Sequence, residues 1–570
     1  RFGFKSRGLG DVYKRQDHVL MQWDMLIRGG QGHPRPSHFL SARKKSWVGR
    51  KRVHDHAALR QCVFQGHHDM QTAGIQDGHD YLVQCAQKCS SNRVSLKYVD
   101  PPDIVEMCKQ RRRLPKGPDR KTLSFSIFKS RKDARLQWRR TMLCRASRGD
   151  WAARGALMKN THGLKAQPLD ALIPEYGSVD AAVEAIQAHY ADRFSNQGEP
   201  CIPLGPPGEE PEFTQEEVQQ QIGMLTRGRC SGPSGVSAEL IQEMIKVPCG
   251  VELITGIINQ VVRAPTEANR ALAHGVAVLL PQMPVVRHPK YTLPIILSEV
   301  LVKLIARLCI FRIQQQVEPP ANAFGGLRHR QACDAINTVK GMLSRSWAYQ
   351  DSYQYVQIDV EAAYDTLSHQ SIQAFLHEQA GHTNPLCCRF LAWVICNQRV
   401  GFHMWGRDWC LDMTRGTVQG GTHSPWVFSL LVAITFQNLS ALWDSRGEVA
   451  PFRKGAEIGQ GLRGVWYVDD AMLVFSSMQQ LERLWPELEA SLASLGLKIS
   501  VAKSRIMSCS HAGRVPGCIS QIQRVHKLTY LGVPITLQGH DEEQAHDMCA
   551  KGLQAYMCNK ALFHLRATPV

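Results

Sequence analysis

The stretch Gly464 to Phe475 reads GVWYVDDAMLVF, with two adjacent carboxylates, Asp469 and Asp470, inside an apolar run. Such a run predicts core strand, where charged groups are almost never found unless paired or metal-bound. A second run, QYVQIDV from Gln354 to Val360, predicts a strand that ends in Asp359. With the Asp469–Asp470 hairpin beside the Asp359 strand, three carboxylates would share one surface. Oxygen-only donors at strand ends suit Mg2+. Two such ions held by shared carboxylates stabilise both the attacking and the leaving oxygen of a phosphoryl transfer. The plainer alternative is an Asp pair at the tip of an ordinary hairpin.

The elements that must position these acids do not alternate strictly between strand and helix. Ser178 to Phe194 has an N-cap Ser and apolar residues at helical spacing. CIPLGPPGEEPEF (Cys201 to Phe213) is a Pro/Gly-rich linker, and Thr214 with Glu217 forms a capping-box pattern. Gly275 to Met283 predicts a strand, and Leu297 to Val317 a long amphipathic helix. Further helices are predicted over Ala362–Ala380, His423–Trp443 and Met478–Gly496, and a single late strand over Lys527–Thr536. Trp426 to Trp443 is the longest apolar helical stretch, but Thr435, Gln437 and Asn438 mark it as a buried helix rather than a membrane span. The order predicts an α+β fold, a small antiparallel sheet with helices on one face.

The chain has 570 residues, is 44% hydrophobic and carries a net charge of +18. That length allows several domains. The charge points to an acidic partner, nucleic acid or an anionic surface. It is concentrated between Lys109 and Arg148, where 15 Lys/Arg face two acids, Asp119 and Asp133, with Phe125, Phe128 and Trp138 interleaved. This segment reads either as a solvated or disordered basic linker or as an arm that tracks phosphates. Arg111, Arg112, Arg113, Arg139 and Arg140 are its candidate nucleic-acid contacts. The 18 cysteines show no repeat, and Cys85 and Cys89 lack a second pair at zinc-site spacing. Free thiols suggest a nuclear or cytoplasmic protein. Val53 to Phe64 reads as a short strand after the Asp55–His56 pair. The chain opens on Arg1, and residues 1–16, with GLGDVYKRQ, resemble translated adapter read-through and are set aside from fold reasoning.

YVQIDVEAAYDTLSH, RGTVQGGTHSPWVFSL, YVDD and GLKISVAKSR follow one another in that order. Upstream stand GRCSGPSGVSAELI, the segment from Val278 to Ile313 and FGGLRHRQACDAI; downstream stands KLTYLGVPI. Together they resemble reverse transcriptases of the non-LTR retrotransposon type, over roughly Gly228 to Thr536. The resemblance implies a right-hand polymerase, with fingers and palm over 265–536 and the start of a helical thumb over 537–570. A helical N-terminal extension over 151–264 and a basic region over 17–150 would precede it. Asp55 and His56 weakly resemble the closing motif of an apurinic-type endonuclease, so the basic region would hold a remnant of that domain.

By the same resemblance, Asp359, Asp469 and the Val360 backbone would hold two Mg2+ ions (or Mn2+), with Asp470 beside them. Tyr364 would exclude a 2′-hydroxyl from the nucleotide site. Gln419 and Gly420 would contact nucleotide and template. Ser424 and Pro425 would open the following helix, and Lys503 would protonate the leaving pyrophosphate. The implied partners are an RNA template, a DNA primer or target and deoxynucleoside triphosphates. The implied reaction is RNA-directed DNA synthesis.

Five positions depart from the family pattern. Gln282 and Leu293 stand where cations usually grip the triphosphate, and Arg287 or Lys290 are the nearby substitutes. Losing one such contact costs about 3–4 kcal/mol in a transition state. Ser234 and Gly421 stand where Asp is usual, and Ser500 where Asn is usual. These replacements predict a copy whose supporting residues have begun to decay. The rival reading is a catalytically inactive nucleic-acid-binding remnant. His377 and His382 are five apart rather than the four of a metalloprotease helix, and no GxxxxGK[ST] run is present. A maturase-like or telomerase-like enzyme is a further rival, against which the LLP…PI and YLG segments favour the retrotransposon type.

Overall fold

The computed structural model describes residues 51–72, 77–92, 98–115, 117–147, 168–195, 210–263, 267–452, 462–508 and 519–537, with short pieces between 546 and 554. The adapter-like segment 1–16 and most of the expected thumb lie outside these residues. The chain divides into two compact units, one of residues 1–92 and 171–544, the other of residues 93–170 and 545–570.

In the second unit the basic segment is helical, Pro102–Arg113 followed by Pro118–Ser147, which corrects the expectation of a linker or disordered arm. Leu114 stops the first helix: it precedes Pro115 and adopts an extended conformation. Ile104 on the first helix and Ile127 and Met142 on the second are buried. Arg131 pairs with Asp100 at 2.6 Å, and Tyr98 packs edge-on against Trp138 at 6.2 Å. Charge masked an apolar stripe that is narrow but sufficient to pair two helices.

In the first unit, β1 (Lys51–Val53) pairs with β2 (Ser90–Asn92). The strand expected over Val53–Phe64 is instead the helix His56–Thr72, and Asp55 accepts a hydrogen bond from the Ala58 N–H at 2.9 Å, capping it. Leu59 and Val63, four apart, face the core. The predicted helix Val179–Phe194 forms with its Ser178 cap, and Thr214 and Glu217 make the capping box. Helices Gln215–Gly223 and Gly250–Arg263 share one apolar core with Val300–Ile313.

A four-stranded sheet has the order β4-β3-β6-β7, formed by β3 (His274–Pro281), β4 (Thr292–Ser298), β6 (Arg399–Met404) and β7 (Arg407–Asp412). The helix expected from Leu297 begins only at Val300, because β4 runs through Ser298.

A five-stranded sheet carries the acids. Its order is β11-β10-β5-β9-β8, formed by β5 (Gln354–Asp359), β8 (Gly464–Tyr467), β9 (Asp470–Phe475), β10 (Arg505–Ser508) and β11 (Gln523–Arg524). Only the β10–β11 pair is parallel. One face packs Val356, Ile358, Trp466, Leu473 and Phe475 into a core shared with helices Ser424–Ser445 and Met478–Ala493. The other face packs Tyr355, Val465, Met472 and Val474 against the helix Ala332–Tyr349 and the hairpin of β12 (Lys527–Tyr530) and β13 (Val533–Thr536). The expected one-sided sheet is therefore covered on both sides. That explains why β9 reads as an unbroken apolar run rather than an alternating one.

Two further expectations change. Lys527–Thr536 is a hairpin, not one strand: Leu531 and Gly532 both have positive φ and form its two-residue turn. The helix over Ala362–Ala380 breaks into Ala363–Thr366 and His369–Ala380. Ser368 caps the second piece through Ser371, while its own N–H donates to the Leu495 carbonyl at 2.8 Å. Among the described helices, Ser424–Ser445 alone is long and apolar enough to cross a membrane. Here it buries Trp426, Phe428, Leu430, Leu431, Phe436 and Trp443 in the core beside the five-stranded sheet.

Candidate active site

Strands β5 and β9 run antiparallel with Asp359 directly opposite Asp470. Strand β8 pairs Tyr467 with Asp470, which leaves Val468 and Asp469 as the two residues of a tight turn. Residues directly opposite across such a pair have Cβ atoms about 4.5–5.5 Å apart, where like charges repel. Val468 has φ +58, a conformation that costs a β-branched residue about 1–3 kcal/mol. It packs over Gly325, where a Cβ would come 2.4 Å from Val468 Cγ2. The surrounding structure thus holds a strained turn in place with Asp469 at its tip.

The next layer fixes Asp359. The Ser504 hydroxyl accepts a hydrogen bond from its backbone N–H at 3.3 Å, and its carbonyl accepts from the Ser500 N–H at 2.8 Å. Val360 is buried and bridges Ile499. Lys503 brings its Nζ within 3.4 Å of Asp359 Oδ1 and is itself 70% exposed. That carboxylate oxygen is buried and accepts no hydrogen bond.

The electrostatics follow from this crowding. Burial, then the Asp469 and Asp359 charges, push Asp470 up to about 7. Burial and the Asp359 charge raise Asp469, against its own backbone N–H and Lys503. Asp469 is exposed by surface area yet crowded on its inner side, so solvent screens part of that effect. Tyr530, buried with its hydroxyl unpartnered, has its phenol raised by burial and then by the Asp470 and Tyr467 charges. Three acids therefore meet with the exposed Lys503 at their rim.

Three carboxylates against one lysine, with a buried oxygen that accepts no hydrogen bond, fit a divalent cation. Among the described residues no three His, Cys, Asp or Glu side chains form a ready metal cage. Mg2+ does not need one, since it binds through one or two carboxylates together with substrate phosphates.

Tyr364, five residues beyond Asp359, is half-buried on the short helix Ala363–Thr366, with its ring 5.3 Å from that of Phe428. Its carbonyl accepts from the Thr417 N–H at 2.6 Å, tying it to the Gly-rich turn. Gln419 donates from Nε2 to Asp365 Oδ1 at 3.3 Å, and its carbonyl accepts from Ile296 N–H at 2.8 Å. Gly420 has φ +108, and a Cβ there would lie 2.8 Å from the Ile296 carbonyl, so only glycine fits. Asp359, Val360, Tyr364, Gln419, Gly420, Asp469, Asp470 and Lys503 thus belong to one linked arrangement in the first unit. Arg111, Arg112, Arg113, Arg139 and Arg140 lie on the two helices of the second unit, with Arg112, Arg113, Arg139 and Arg140 exposed.

Sequence reasoning missed Asp365 and Arg193. Asp365 is fully buried, and Arg193 Nε lies 2.7 Å from its Oδ2, an ion pair off the angle of a hydrogen bond. Burial raises the carboxyl to about 6 against the lowering charge of Arg193. The partners are 172 residues apart, so no local pattern announces them. Arg193 ends the helix Val179–Phe194, which Tyr190 also ties to β4 by a 2.6 Å hydrogen bond to the Thr292 hydroxyl.

The departures from the family pattern look different in three dimensions. Ser234 receives a carboxylate from elsewhere: Glu299 accepts its N–H at 2.8 Å and its hydroxyl at 2.5 Å. At Gly421 a Cβ would lie 2.8 Å from both Ser424 Oγ and Val418 Cγ2, so the local packing is built around glycine. Ser500 supports Asp359 through its backbone, which Asn would supply equally. Gln282, Arg287 and Lys290 are exposed around the β3–β4 connection, with Lys290 over the Tyr291 ring at 5.1 Å.

The chain is similar to solved structures at the level of weak overlap. Apo telomerase from Candida tropicalis aligns with TM-score 0.35 and 11% identity, covering 70% of this chain and 69% of that one. Its form truncated from the C-terminal domain aligns with TM-score 0.32 and 13% identity, covering 70% and 80%. An RNA polymerase complex inside a double-stranded RNA virus aligns with TM-score 0.32 and 11% identity, covering 50% and 24%. No curated protein matches. Residues 288–535, which hold all three aspartates, match the family model described as reverse transcriptase (RNA-dependent DNA polymerase), and the chain carries a reverse transcriptase domain there.

Proposed function

We propose that this protein is an RNA-directed DNA polymerase of the non-LTR retrotransposon type, adding deoxynucleotides to a primer 3′-hydroxyl. The observation that carries this reading is the register that sets Asp359 against Asp470 with Asp469 in the intervening turn. Bound Mg2+ would supply charge to the phosphates and polarise the attacking hydroxyl. Asp359 and Asp469 would hold it, beside the Val360 backbone, with Asp470 adding negative charge behind them. The sheet, covered on both faces, keeps these carboxylates rigid, as electrostatic preorganisation requires. Lys503, close to Asp359, donates a proton to the leaving pyrophosphate. Tyr364 stands where a ribose 2′-hydroxyl would intrude, and Gln419–Gly420 form the floor beneath base and template.

The two sheets then correspond to palm and fingers. Arg287 and Lys290 on the β3–β4 connection replace the cations that Gln282 and Leu293 do not provide. With Glu299 serving Ser234, packing adapted to Gly421 and the Ser500 backbone supporting Asp359, three of the departures favour a working enzyme over a decayed copy. Its setting would be a ribonucleoprotein of the element, in nucleus or cytoplasm.

Primer extension on an RNA template with deoxynucleotides and Mg2+ or Mn2+ tests the reading. The wild type should extend the primer, and Asp469→Asn/Asp470→Asn should fall by 10²–10³-fold or more, the scale of a lost preorganised charge. If both proteins incorporate at background while RNA binding persists, the chain is a binding remnant and the polymerase reading is abandoned.

A further inference from the structure

Helix Pro118–Ser147 presents two unlike faces. Ile127, Arg131, Trp138 and Met142 lie on the covered side, with Ile127 and Met142 buried. At 3.6 residues per turn, Lys121, Phe125, Phe128, Lys129, Lys132, Leu136, Arg139 and Arg140 fall within about a third of the circumference on the other side. All eight are exposed, and Phe125 and Phe128 are 71% and 67% open to solvent. The stripe runs for about 29 Å, from the rise of 1.5 Å per residue. No ion pair engages Lys121, Lys129, Lys132, Arg139 or Arg140 among the described residues, whereas Arg131 on the covered side is paired with Asp100.

We propose that this face binds single-stranded RNA, with Phe125 and Phe128 stacking on bases and the five cations tracking phosphates. Two large rings held in water are unfavourable unless something covers them. Aromatic rings between cations on an extended track match a single strand, whose bases offer π-faces and whose phosphates follow the basic side chains. A duplex hides its bases and offers the rings nothing. An anionic membrane shares the charge preference, but it rewards a continuous apolar face. Here the apolar residues are only three, the adjoining Phe125 and Phe128 and the separate Leu136, and cations stand before, between and after them. The choice of RNA among single strands rests on the polymerase reading, whereas the stacking site itself does not.

The test uses the full chain without nucleotide or metal, so it stands whether or not the protein polymerises. A fluorescein-labelled U20 RNA is titrated by anisotropy against a duplex of equal length. Phe125→Ala/Phe128→Ala should weaken U20 binding by ten-fold or more, from stacking of about 1–3 kcal/mol per base, and leave duplex binding and the salt slope unchanged. Replacing Lys121, Lys129, Lys132, Arg139 and Arg140 by Gln should make the log–log salt slope for U20 shallower by up to about 3.5, at about 0.7 per phosphate. A 4-thiouridine RNA should crosslink within the peptide that holds Phe125 and Phe128. Equal losses for U20 and duplex would reduce the face to unspecific electrostatics and overturn the proposal. So would absent crosslinks with unchanged U20 affinity, or phosphatidylserine vesicles that outcompete U20 in a manner dependent on the two rings. If DNA U20 analogues bind as tightly as RNA, the stacking site stands and the assignment to RNA falls.

Discussion

Asp359 at the end of β5 and Asp365 on the short helix after it belong to two carboxylate sites that solve the same problem in opposite ways. Asp365 is sealed from solvent and given a partner, Arg193, with Gln419 on its other oxygen. Asp359, Asp469 and Asp470 are brought together with Lys503 at the rim and one oxygen left without a hydrogen bond. A closed pair of this kind holds structure, since a buried charge with a fixed partner has no room for a ligand. An under-compensated cluster does the reverse: it is unfavourable alone and becomes favourable when a cation enters. The comparison separates acids that build the site from acids that use it, which their residue type cannot do.

Arg193→Ala should have the largest effect. It leaves the buried Asp365 carboxyl with Gln419 but no counter-charge, and should destabilise the unit by about 3–5 kcal/mol in thermal or denaturant unfolding. Asp365→Asn in the same chain should restore most of that loss. A single substitution that costs under about 1 kcal/mol would show that Asp365 is not a structural pair.

Tyr364 sits next to Asp365 on the same short helix and tests where structure ends and selectivity begins. Tyr364→Ala should relax discrimination against ribonucleotides by about 10–200-fold, the range for a lost steric contact, while lowering the melting temperature less than Arg193→Ala does. Unchanged discrimination with a large melting loss would return Tyr364 to the core and remove it from the site.

The smallest expected effect sharpens the open cluster. Asp470 has its folded-state pKa raised to about 7, well above the ordinary carboxylate value. Its contribution to stability is therefore full at pH below about 4 and is lost as pH rises through about 7. Without divalent ions, the melting difference between wild type and Asp470→Asn should shift in favour of the Asn variant across that window. Added Mg2+ should raise the wild-type melting temperature more at pH 8 than at pH 5, and chelation should reverse it. Identical pH profiles for the two proteins would mean that Asp470 feels no net repulsion.

How far the chain could be read depended on the range of the interactions involved. The caps at Ser178 and Thr214 and the core helix after His423 were legible because their signals lie within one or two turns. The basic helices of the second unit were not: their apolar stripe is only a few residues wide and is hidden by charge. The break at Leu367–Ser368 was hidden as well, since the Leu495 carbonyl that engages Ser368 arrives from a distant turn. Ser234 read as a loss because the carboxylate that serves it stands 65 residues away, at Glu299.

By itself, the sequence determined the type and order of the acids and the apolar strands that carry them. Charge in an unbroken apolar run is too unfavourable to be incidental, and that holds in any fold. The tertiary structure decided the rest: that Asp359 faces Asp470, that the sheet is covered on both sides, and that Arg193 neutralises Asp365 while the other three acids stay under-compensated. Register and ion pairing are relations between segments more than 100 residues apart, and only packing the chain brings their charges within a few ångströms.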